Sequence, residues 1–178
     1  MMGQRIGVCM PGGRGGDAGI PLLVPAIALA VQVHRDKKDK GGQPYILHPL
    51  RVILAQENGT AMMVGVPHNV VEDSAKDEDP NTIERLRGMG CSEEVLEALD
   101  CVTRRPGETY DDFMECAAQN PLARAATNTI ARKVKIADLE DNMDLLRRGR
   151  RGTAATEQLG RYLEVWQRLR GEGARVVL

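Results

Sequence analysis

The chain has 178 residues, 42% of them hydrophobic and 28% charged, with a net charge of −1, which fits one soluble domain with a sizeable core. Near-neutral charge gives no reason to expect DNA, RNA or membrane binding, and an aromatic content of 3% argues against a base-stacking platform. The four cysteines, Cys9, Cys91, Cys101 and Cys116, lack C-x-x-C spacing and read as reduced thiols of a cytoplasmic protein.

Residues 1–19 are glycine-rich and read as a flexible arm. The run GGRGGDAG within them is not a phosphate loop, because no strand precedes it and no GK[ST] closes it. Two readings compete for IPLLVPAIALAVQV at 20–33. Its apolar run and Ala28-Leu29-Ala30 are signal-peptide-like. Pro21 at a helix start, with Leu22, Leu23, Ala26, Ile27, Ala30 and Val33 on one face, instead describes a buried helix over about 21–36. The run is too short to span a bilayer. The loop KKDKGGQPYI follows, then a helix from His48-Pro49 to Glu57 and another over 61–73. Asn81 and Glu84 read as a capping box for the next helix, which Gly88 and Gly90 end. Ser92, followed by Glu93 and Glu94, caps a further one. Thr109 caps a segment over 110–119. Asn120-Pro121 breaks the chain before a longer helix to Arg147. RRGRRGT at 147–153 links to an amphipathic helix over 155–170 carrying Leu159, Leu163, Trp166 and Leu169. With almost no alternating pattern, the fold class is all-α.

The stretch VPHNVVEDS concentrates polar chemistry. At helical spacing His68 lies above Glu72 and Asn69 above Asp73, and Asp138 shares a face with Asn142 in KIADLEDNMD. Polar groups rarely line an inner helical stripe of Val, Leu and Met unless they satisfy one another or hold a metal. Two histidines, His48 and His68, with carboxylates from separate helices suit a divalent cation. Taken singly, each histidine is more often a hydrogen-bonded core residue than a ligand.

The segments GGQPYILHPLRV, PHNVVEDS, LDCVTRRPGETYDDF and VKIADLEDNMD, in this order, resemble the HD-domain hydrolases of the RelA/SpoT type. Those enzymes remove the 3′-pyrophosphate from (p)ppGpp, and the small single-domain members look most similar. The resemblance covers about residues 21–170. It implies a single-domain orthogonal helical bundle of the HD-domain type over 20–170, with a tail at 171–178. It also implies metal ligation by His48, His68, Asn69 and Asp138, with Mn²⁺ as the ion. By the same resemblance, Glu72 and Asp73 serve the attacking water and the outer shell of the metal. Asn142 faces the nucleotide, and basic contacts lie among Lys37, Lys38 and Lys40. His34 matches a family position that is not a ligand. The implied partner is a small guanosine nucleotide.

Three departures stand out. The family's HD dipeptide is His68-Asn69 here. Pro67 precedes the histidine and removes a helical hydrogen bond. Residues Thr127–Arg132 read as an extra turn or loop. An amide coordinates only as a neutral donor, so metal affinity is expected to fall. The leading expectation is a weakened (p)ppGpp hydrolase. A catalytically silent binder of nucleotide or partner, and an HD-type phosphohydrolase of another nucleotide, are the alternatives.

Overall fold

Short apolar runs broken by good capping residues give a string of mostly short helices. The computed structural model describes residues 20–74, 82–104, 128–144 and 153–171. Among them lie α1 (Ile20–His34), α2 (Leu47–Leu54), α3 (Gly59–Gly65), α4 (His68–Asp73), α5 (Ile83–Gly88), α6 (Glu93–Val102), α7 (Thr129–Met143) and α8 (Thr153–Arg170). The described fold is all-α, with one isolated bridge between Lys38 and Pro44. The arm at 1–19, Thr109 with its expected helix, the linker at 147–152, the tail beyond Gly171, Cys9 and Cys116 lie outside the described residues. No described helix is long and apolar enough to cross a membrane.

α3 and α7 form the centre. α3 packs on α1, α2, α6 and α7, and α7 also meets α2, α6 and α8. α3 approaches α2 closely at Gly65, where a Cβ would lie 3.2 Å from Ile53 Cγ2. The apolar run at 20–33 is a packed helix, with Ala26, Ala30 and His34 buried. Val52, Met63, Val64, Leu96, Leu99, Val134 and Leu139 fill the core, each contributing about 1.5–3 kcal/mol by burial.

Several boundaries differ from the sequence expectation. α2 stops at Leu54, where Ala55 caps it, and Asn58 then caps α3 by accepting the Ala61 N–H at 2.9 Å. The helix expected over 61–73 is two helices. Pro67 has no N–H to continue the ladder, and α4 begins afresh with Val70 and Val71 donating to the Pro67 carbonyl at 2.9 and 3.2 Å. Thr82, not Asn81, caps α5, accepting from Arg85 N at 3.2 Å; Asn81 itself lies outside the described residues. Gly90 closes the α5 turn at φ +94°, a left-handed conformation that glycine adopts cheaply. Ser92 caps α6 through Val95 N, as expected.

Asn128 caps α7 through Ile130 N and Ala131 N. Thr129–Arg132 is therefore the first turn of a helix and not an inserted loop. On α8 the buried face is Tyr162, Val165 and Leu169, and Leu163 is 43% exposed. The stripe is rotated from the expected one because the residues that meet the core follow i, i+3, i+7 from Tyr162.

Candidate metal centre

His48 stands in the first turn of α2, His68 opens α4, and Asp138 lies midway along α7. One nitrogen from each ring and one carboxylate oxygen lie within 4.8 Å of one another, and all three residues are buried. The rings meet edge to face with centroids 5.7 Å apart.

Hydrogen bonding fixes which nitrogen of each ring faces the centre. His48 Nδ1 lies 2.6 Å from Asp141 Oδ2, and His68 Nδ1 lies 2.5 Å from the Gly65 carbonyl. Both partners only accept, so both Nδ1 atoms carry the proton. The Gly65 carbonyl is open to the ring because the helix breaks at Val66-Pro67. His48 Nε2 and His68 Nε2 then turn to Asp138 Oδ1, at 3.2 and 3.8 Å.

Asp138 is heavily served. Lys135 donates to its Oδ2 and Asn142 to its Oδ1, both at 2.7 Å. Burial alone would raise the Asp138 carboxyl, but Lys135, His48 and His68 overcome it and hold it well below the usual carboxylate range. Burial likewise opposes charge on Lys135, and the Asp138 carboxylate outweighs it and raises the ammonium pKa. His48 is a third case: burial would lower it, yet Asp138 and Asp141 raise it to about 9.

A divalent cation fits this donor set. His68 Nε2 and Asn69 Nδ2 are buried with no hydrogen-bond partner, a costly arrangement for polar atoms that a cation would relieve at His68 Nε2. Imidazole and carboxylate donors suit Mn²⁺ or a similar ion. Amide nitrogen and oxygen are assigned by their surroundings, so a flipped Asn69 would offer its oxygen where Nδ2 now lies.

A cleft of about 320 Å³ reaches His48, lined also by Lys38, Lys40, Tyr45, Asn142 and Tyr162. Its loop is set by the Lys38–Pro44 bridge and by Asp39 Oδ1, which accepts Gly41 N and Gln43 N at 2.9 Å. Lys38, Lys40 and Asn142 are thus brought together with His48. Lys37 instead lies 3.5 Å from Asp73 Oδ2, and Asp73 lies 3.4 Å from the buried His34. Burial lowers His34 to about 4, only partly offset by Asp73. Glu72 Oε1 accepts the Arg104 N–H at 2.5 Å, and its charge is felt at Lys135 and Tyr45. Tyr45 is pushed up, chiefly by burial.

Sequence reasoning passed over Asp141, Arg51, Lys135, Tyr45 and Tyr162. Helical spacing carried a signal for three of them: Lys135 and Asp141 lie three residues either side of Asp138, and Arg51 lies three after His48. The two tyrosines carried none, since their convergence depends on how α8 meets the loop.

No protein-family model matches the chain. It is 31% identical over 132 residues to the "Probable guanosine-3′,5′-bis(diphosphate) 3′-pyrophosphohydrolase" of Synechocystis sp., covering 70% of this chain and 17% of that protein. It is 27% identical over 158 residues to the guanosine-3′,5′-bis(diphosphate) 3′-pyrophosphohydrolase of Borreliella burgdorferi, covering 83% of this chain and 23% of that protein. The chain spans less than a quarter of the length of these two relatives.

Proposed function

We propose that the chain is a metal-dependent phosphohydrolase of the HD-domain, RelA/SpoT type, acting on a guanosine nucleotide that carries a 3′-pyrophosphate. The observation that carries this reading is the buried cluster of His48, His68 and Asp138, with donor atoms within 4.8 Å of one another. The names of the two relatives support the substrate. A divalent cation, Mn²⁺ by expectation, held by these three residues with Asn69 as a neutral fourth donor, would polarise a phosphoryl oxygen and favour hydroxide near neutral pH.

The remaining chemistry belongs to the side chains. Lys38 and Lys40, in the cleft wall, neutralise substrate phosphates. Asn142 lines the same cleft while bonded to Asp138, so the nucleotide and the ligand carboxylate share one side chain. Glu72, one turn beyond His68, takes a proton from the attacking water, and its bond from Arg104 N fixes one carboxylate oxygen. Asp73 holds Lys37 and borders His34, a placement that favours Glu72 as the base and leaves Asp73 in the outer shell of the site. The water oxygen bonds to the phosphorus nearest the ribose, the bond from that phosphorus to the 3′ oxygen breaks, and the 3′ oxygen takes a proton. The products are GDP and pyrophosphate when the substrate is ppGpp.

Incubating the purified chain with ppGpp, with and without Mn²⁺, tests the reading. One GDP and one pyrophosphate per nucleotide consumed, formed only with the cation, is the expected result. Absence of both turnover and nucleotide binding contradicts it. The amide at Asn69 and the helix break at Pro67 favour a second reading, a domain that binds nucleotide without turnover. Nucleotide binding with no product at saturating Mn²⁺ selects that one, and product from a different nucleotide alone selects another HD-type phosphohydrolase.

A further inference from the structure

The His48 ring is gripped from both sides by one face of α7. Asp138 lies 3.2 Å from Nε2, and Asp141, one turn on, lies 2.6 Å from Nδ1. The side chains of His48 and Asp141 are only 4% and 7% exposed. Arg51 crosses from α2, donating through Nε to Asp141 Oδ1 and through Nη2 to Oδ2 at 3.4 Å. A carboxylate behind a ligating histidine fixes the ring tautomer and makes the ligand more basic. The donor set in front has only one carboxylate, since position 69 is an amide.

We infer that Asp141, oriented by Arg51, is a positioning residue of the metal centre: it aims the His48 Nε2 lone pair at the cation and supplies, from behind the ring, negative charge that Asn69 withholds. This rests on the divalent-cation reading above. Arg51 is 37% exposed, so solvent screens its charge and it orients the carboxylate more than it cancels it. A purely structural tie between α2 and α7 would need neither the Nδ1 contact nor any coupling to residue 69, and that difference makes the inference testable.

The experiment is Mn²⁺ titration of the full chain by calorimetry, in a cycle of parent, Asp141→Asn, Asn69→Asp and the double variant, with folding checked by circular dichroism. Asp141→Asn keeps the shape and should weaken Mn²⁺ binding by about ten- to a hundredfold. In the Asn69→Asp background, where a ligand charge is restored, the same change should cost several-fold less, a non-additivity that a structural tie would not produce. Arg51→Met, at a partly exposed position, should weaken binding by a smaller factor, and it takes the place of Asp141→Asn in the cycle should that variant not fold. Unchanged Mn²⁺ affinity on loss of Asp141 or Arg51, or equal losses in the two backgrounds, overturns the inference while the cation reading stands. A parent chain that takes up no Mn²⁺ overturns the cation reading first, and this inference with it.

Discussion

On α7, Asp138 receives Lys135 and Asn142, and Asp141 holds His48 and Arg51. On α4, only six residues long and entered through a proline, His68 Nε2 and Asn69 Nδ2 are buried without hydrogen-bond partners. The two helices meet at one centre, yet Asp138 and Asp141 are charged and pre-paired, whereas α4 offers there an imidazole and an amide, its own carboxylates Glu72 and Asp73 being bonded to Arg104 N and Lys37. The difference teaches where the site draws its charge. α7 keeps Asp138 ionised against its burial, because Lys135, His48 and His68 hold it so. α4 contributes one lone pair, on His68 Nε2, whose burial a bound cation would relieve.

The largest effect should follow from emptying the charged side. Asp138→Ala leaves Lys135 and His48 buried without their shared carboxylate. Urea denaturation of the metal-free variant should show a loss of about 3–5 kcal/mol, and Mn²⁺ binding should vanish. A variant of near-parental stability would mean that the basic groups are solvated and the contrast between the two sides is false. On α4, Glu72→Gln tests the proposed base. Turnover of ppGpp should fall by about two to four orders of magnitude with metal content unchanged, and the measurement is best made in the Asn69→Asp background. Near-parental turnover would remove Glu72 from the chemistry.

Asn69→Asp should sharpen the comparison from the other direction by giving position 69 a charge. Mn²⁺ affinity should rise on the order of tenfold, as ligand charge count tunes cation sites, and hydrolysis should rise with it. If neither moves, Pro67 and the break in the helix, rather than the amide, limit the site.

Acidity separates the two kinds of environment more gently. His48 is raised from 6.5 to about 9 in the metal-free protein. The stability it contributes is fully present below pH 6.5 and is lost as pH rises through about 9. Mn²⁺ must displace that proton, so its affinity should climb over the same window. His34 is depressed to about 4. It binds its proton less readily folded than unfolded, so its contribution is present above pH 6.5 and falls away as pH drops toward 4. Denaturation midpoints from pH 4 to 10, compared with His34→Gln and His48→Gln variants, separate the two slopes. The smallest effect belongs to the cleft lysines: if, as proposed, they meet phosphate in ground and transition states alike, Lys38→Ala or Lys40→Ala should raise KM several-fold and leave kcat nearly unchanged. Unchanged KM in both would take the loop out of the substrate site.

Local signals were readable in the sequence where a single residue decides the geometry. Ser92 caps α6, Gly90 ends the α5 turn, and Pro67 interrupts the helix before His68. Spacing put Asn142 on the Asp138 face, where it bonds that carboxylate. What spacing hides is pairing between distant segments. Arg51 and Asp141 are 90 residues apart, and no local rule says that α2 and α7 meet. The Lys37–Asp73 pair is similar: the loop and the end of α4 had each been assigned to the site, and their mutual neutralisation appears only once both are packed against His34. On α8 the expected stripe holds at Leu169 and in part at Trp166, while Leu163 is exposed and Tyr162 and Val165 are buried in its stead.

The proposed cation would be gathered from three helices by one carboxylate, Asp138, and two imidazoles, His48 and His68. Equilibrium dialysis against Mn²⁺, counting metal per chain, tests this most directly when parent and His68→Ala are run side by side. One ion per parent chain, with none retained by His68→Ala, is the predicted result. A parent that retains no ion, or a His68→Ala protein that retains a full equivalent, would contradict it.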